Sequence, residues 1–94
     1  MGLFSKKQKV DYDALFKEQY KSVNQLTMHA HNELDYVIKE SLFELIVEKY
    51  NELITFIDQG ASYDKAHFES LRENAQKELK TLQDINKDEL WIFV

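Results

Sequence analysis

Ile57-Asp58-Gln59-Gly60-Ala61-Ser62 is the one stretch of this chain that obliges a helix to end. The chain contains two glycines and no proline, and the other glycine, Gly2, lies at the start. Glycine costs roughly 1 kcal/mol and proline roughly 3 kcal/mol inside a helix, so a long stretch free of both is a positive sign of helix. The reading is all-α, with a turn at Gln59-Gly60-Ala61.

N-terminal to that turn, Asp11 and Asp13 are placed to open a helix as a cap and a first-turn acid facing the positive end of its dipole. Tyr12, Leu15, Phe16, Tyr20, Val23, Leu26, Ala30, Leu34, Val37 and Ile38 then recur at three- and four-residue steps. At about 100° per residue they form one stripe. Leu42, Phe43, Ile46, Val47, Tyr50, Leu53, Ile54 and Ile57 fall on nearly the opposite face from Leu34 and Val37. A straight helix cannot aim both sets at one core.

Two break points compete. The run Thr27 to Asn32 is rich in weak helix formers, with Asn32 as a cap and Asp35 three residues on; a break here gives three helices of similar length. Ser41-Leu42-Phe43-Glu44 matches the capping box and coincides with the change of face. An unbroken helix over residues 11–59 would run about 70 Å at 1.5 Å per residue, and the remaining chain could cover only half of it. That case demands a dimer, whereas a break near Asn32 permits a monomeric bundle with Leu34, Val37 and Ile38 turned outward.

C-terminal to Gly60, Ser62 is placed to cap a last helix. Phe68, Leu71, Ala75, Leu79, Leu82 and Ile85 form its stripe, and Asn86-Lys87-Asp88 is expected to end it. The expected fold is an antiparallel bundle of three helical segments, about 11–31, 33–59 and 62–86. Residues 1–10 make a flexible basic N-terminus and 11–94 one domain. Leu90-Trp91-Ile92-Phe93-Val94 forms an apolar tail, expected to dock on the bundle or on a partner, since burying one such side chain contributes about 1.5–3 kcal/mol.

The 94 residues suit a single domain, and an apolar share of 44% at a net charge of −5 is too high for disorder. With Lys6, Lys7 and Lys9 set aside, the rest carries about −8. That balance argues against nucleic acid, which needs clustered cations, and favours a basic protein partner or simple solubility. There is no cysteine, hence no disulfide framework, and no apolar run near the roughly 18 residues of a membrane span. With no signal-peptide pattern at the start, a cytoplasmic setting is expected. Met1-Gly2-Leu3-Phe4-Ser5-Lys6 misses the myristoylation pattern, because lysine occupies the required Ser/Thr position; a weak touch of the N-terminus on an anionic membrane surface is the most it offers.

Histidine supplies the only hint of site chemistry. His29 with Glu33, and Asp64 with His67, have spacings at which one helical face offers two metal ligands, as does His31 with Asp35. The Asp-x-x-His element occurs once, whereas di-metal bundles use such a pair from each of two helices. No nucleophile elbow, glycine-rich phosphate loop or thiol is present, so no catalytic residue, cofactor or small-molecule substrate is expected. The leading expectation is a small protein-interaction module (an adaptor, regulator or inhibitor), homodimeric, using Leu34, Tyr36, Val37 and Ile38 together with Trp91 and Phe93. The alternative is a metal-binding bundle using His29, Glu33, Asp64 and His67.

Overall fold

A computed structural model describes the backbone of residues 10–92 and the side chains of residues 10–87. It contains α1 (Tyr12–Asn32), α2 (Tyr36–Asp58) and α3 (Lys65–Ile92). Among the described residues there is no strand. The chain is an all-α bundle in which α2 packs along both α1 and α3.

The enforced turn is built as the sequence requires. Gln59 ends α2, and Gly60 follows at φ +130°, a left-handed conformation that glycine adopts without a Cβ penalty. The Ala61 N–H donates to the Phe56 carbonyl at 2.9 Å, and the Gly60 N–H to the Ile57 carbonyl at 3.1 Å. This is the Schellman pattern, which satisfies carbonyls that a helix end leaves open. Ala61 is buried beneath it.

The first two helices are separate, and the break lies at Glu33-Leu34-Asp35 rather than at Ser41. Ser41 lies inside α2, so the capping-box alternative and the single long helix are both overturned. The cap of α2 is Asp35, not Asn32: its Oδ1 accepts from the N–H groups of Val37 at 2.9 Å and Ile38 at 3.3 Å. Glu33 Oε2 accepts from the Asp35 N–H at 3.1 Å and braces the corner. Asp11 caps α1 as expected, accepting from the Ala14 N–H at 3.1 Å.

Two boundaries of α3 differ from the sequence reading. Its N-terminus is capped by Asp64, which accepts from Ala66 and His67, while the Ser62 N–H donates to Asp13 Oδ1 at 2.7 Å and ties the turn to α1. The helix also passes through Asn86-Lys87-Asp88 to Ile92. Nothing in that polar stretch breaks a helix, and Asn86 is itself needed in the interior. Its Nδ2 donates to the Tyr36 carbonyl at 2.9 Å and to Glu40 Oε1 at 2.7 Å. The backbone of the apolar tail is therefore helical through Ile92, and Phe93 and Val94 lie outside the described residues.

The core sits between the three helices. Phe16, Val23 and Ala30 of α1 and Phe68, Ala75 and Leu82 of α3 recur at seven-residue steps and face Phe43, Ile46, Tyr50, Leu53 and Ile54 of α2. A seven-residue repeat is what helices crossing at a shallow angle require. At the Gly60 end the Phe16 ring stacks on Tyr63 at 3.9 Å and meets Phe68 edge-on at 4.9 Å, and Tyr20 meets Phe68 edge-on at 5.2 Å. These rings join α1 to α3, and each such pair adds about 0.5–1.5 kcal/mol beyond area burial. Leu15, read as part of the first stripe, lies at its edge and is exposed.

Candidate functional site

The corner between α1 and α2 leaves apolar side chains uncovered. Leu34 is 90% exposed, Val37 62%, Ile38 48% and Tyr36 45%, with Leu45 about two turns further along α2 at 39%. The local cause is the cap. Asp35 restarts the helix before the change of face, so Val37 and Ile38 share α2 with Phe43 and Ile46, and the rotation that brings the latter inward carries Val37 outward. The Lys39 ammonium lies 5.9 Å from the centre of the Tyr36 ring, a cation–π distance.

The flanks of α2 define which face is free. On one side Lys49 donates to Gln19, Gln19 donates to Glu52, and Tyr12 packs against Phe56, all contacts with α1. On the other side Asn86 donates to Glu40, Arg72 Nη1 donates to Asn51 Oδ1 at 2.8 Å, and Lys65 pairs with Asp58 at 2.7 Å. At about 100° per residue the arc between these flanks holds Val37, Ser41, Glu44 and Glu48, and Leu45 and Ile38 lie at its α1 edge.

That arc carries a charge pattern that the sequence reading did not single out, although it is visible there. Glu40, Glu44, Glu48 and Glu52 follow one another at four-residue intervals. No lysine or arginine lies three or four residues from Glu44 or Glu48. Neither carboxylate makes a hydrogen bond or ion pair among the described residues, whereas Glu40 and Glu52 are engaged on the flanks. Both lysines of α2, Lys39 and Lys49, lie off the arc.

The expected site residues separate accordingly. Leu34, Tyr36, Val37 and Ile38 come together at one end of the bundle. The Trp91 side chain and the whole of Phe93 lie outside the described residues; the backbone of Trp91 is helical. Because Asn86 meets the first residue of α2, the rest of α3 continues about 9 Å past that level at 1.5 Å per residue.

The histidines are dispersed. His29 and Glu33 share an open depression of about 440 Å³ with Gln25, Met28 and Asn32, near the end of α1. Asp64 and His67 lie at the opposite end of the bundle. Asp64 is occupied as a cap, and the His67 ring packs edge-on against Phe68 at 5.1 Å. Among the described residues no group of three or more His, Asp or Glu could hold a metal ion.

A further concavity is lined by residues of all three helices. It is a groove of about 220 Å³, floored by Phe43, Ile46 and Tyr50 and rimmed by His31 and Glu78. Burial, and secondarily the nearby Tyr20, push the Tyr50 phenol above its ordinary value of 10.0. A phenol held neutral in this way is a packing group and supplies no base at neutral pH.

Among the described residues no helix is long and apolar enough to cross a membrane. Comparison with known protein families, curated proteins and solved structures finds no match to this chain.

Proposed function

We propose that this chain is a small protein-interaction module without chemistry of its own, and that its working surface is the α1–α2 corner with the adjoining outer face of α2. The observation that carries this reading is the exposure of Leu34, Tyr36, Val37 and Ile38 within five successive residues, whereas Leu15 and Met28 are exposed singly. Scattered exposed apolar residues are ordinary, whereas a contiguous run beside a polar border is the usual mark of a contact surface. Tyr36 adds an amphipathic ring of the kind enriched at interface hot spots.

The need for a second copy rested on an unbroken helix of about 70 Å at 1.5 Å per residue. With the break at Glu33-Leu34-Asp35, one chain closes its own bundle, and the partner is either a second copy or a different protein. A photo-reactive side chain placed at Val37, in cells that make the protein, is expected to cross-link one discrete protein. The same group at Gln76 on the outer side of α3 is expected to cross-link none. Equal labelling at both positions, or none at Val37, contradicts the reading, and the mass of the product identifies a second copy.

A further inference from the structure

We infer that the partner of this surface is a cationic amphipathic helix belonging to a different protein, laid along the outer face of α2 from the Leu34 corner toward Glu52. The inference rests on the reading just given and names the chemistry of the partner. It follows from what lies side by side on the free arc of α2 and along its α1 edge. Val37, Ile38 and Leu45 present apolar surface, and Glu44 and Glu48 present two unpaired carboxylates on the neighbouring row. Complementary rows on one partner helix are leucine-like side chains at three- and four-residue steps flanked by lysine or arginine. The stretch from Val37 to Glu52 runs about 23 Å at 1.5 Å per residue, which an eighteen-residue helix spans.

The same pattern selects against a second copy. An antiparallel two-fold contact through this face would set one row of glutamates against its equivalent in a region being dried, and like charges brought together in an interface cost affinity. The row also has no evident structural use. Successive like charges four residues apart weaken a helix, and any lysine among them would have relieved that strain at no cost to the core. A feature that opposes the stability of its own helix, beside uncovered apolar surface, is placed for a partner that neutralises it.

The test uses the full chain and two synthetic eighteen-residue peptides with the same leucine spacing, one with lysine on its polar face and the other with glutamate. Titration calorimetry is expected to show the lysine peptide binding at least tenfold more tightly than the glutamate peptide. Affinity for the lysine peptide is expected to fall at least tenfold in Glu44→Lys/Glu48→Lys, and again in Val37→Ser/Leu45→Ser. In Glu69→Lys/Glu73→Lys, which changes the net charge equally on the exposed side of α3, it is expected to stay within twofold.

All three double variants alter exposed residues, and circular dichroism checks that each remains helical. Equal losses in the two charge-reversal variants would mean that only net charge is sensed and would overturn the inference. Unchanged affinity in Val37→Ser/Leu45→Ser would do the same. So would self-association of the unmodified chain that the Val37/Leu45 variant abolishes, since the occupant would then be a second copy. Cross-linking at Val37 without preference for the lysine peptide would overturn the cationic partner and leave the contact surface standing; failure of both removes the surface.

Discussion

Asp35 decides where the first half of the chain bends, and it does so with one oxygen. Its Oδ1 serves two N–H groups at the start of α2, while Asn32, one turn earlier, is the last residue of α1 and makes no side-chain hydrogen bond among the described residues. Replacing a capping aspartate by alanine typically costs about 1 kcal/mol. Asp35→Ala is therefore expected to lower the unfolding free energy by about 1 kcal/mol in chemical denaturation, and Asn32→Ala to leave it within about 0.5 kcal/mol. Equal effects of the two would mean that the corner is not held by Asp35. Asn86 has a comparable role in α3. It is 7% exposed and ties that helix to the first turn of α2, yet its Oδ1 is buried with no partner. A residue used this way fixes register more than it adds stability.

At the scale of elements, α2 combines a face that the core requires with one that it does not. Glu48 has Glu44 and Glu52 four residues on either side. Reversing its charge turns two repulsive pairs into two attractive ones, each pair being worth about 0.2–0.5 kcal/mol. Glu48→Lys is expected to stabilise the chain by about 1 kcal/mol, which for a domain of this size raises the melting temperature by about 4–8 °C, while weakening the cationic peptide. A lower melting temperature would mean that Glu48 supports the fold after all.

The helices and the Gly60 corner were legible in the sequence because glycine, proline and apolar spacing act locally. Asp11 was legible as a cap for the same reason. The α1–α2 boundary was not settled there: α1 ends on Asn32 and Glu33 with no glycine, so Asn32, Asp35 and Ser41 all offered plausible capping chemistry. Ser62 is not the cap because α3 starts only at Lys65, with Asp64 capping it, and the Ser62 N–H is instead held by Asp13, 49 residues away, a contact invisible in a local reading. Asn86 looked like a stop because it is polar, and its burial depends on Tyr36 and Glu40 in another helix. The outward turn of Leu34, Val37 and Ile38 was legible from phase alone, whereas the glutamate row was present in the sequence and became informative only once both flanks of α2 were known.

For the whole molecule, the bundle is closed unevenly. Aromatic rings from α1, α3 and the Gly60 turn seal one end, and the opposite end carries the uncovered corner and the continuation of α3. One chain suffices to bury Phe16, Ile46 and Leu53 completely, so the fold itself makes no demand for a second copy. On the inference drawn above, the glutamate row gives the exposed face of α2 a preference for something unlike itself. Light scattering on the purified full chain without any partner tests this most directly. The account predicts the mass of one chain, 11.2 kDa, at all accessible concentrations. A stable mass of twice that value would contradict it.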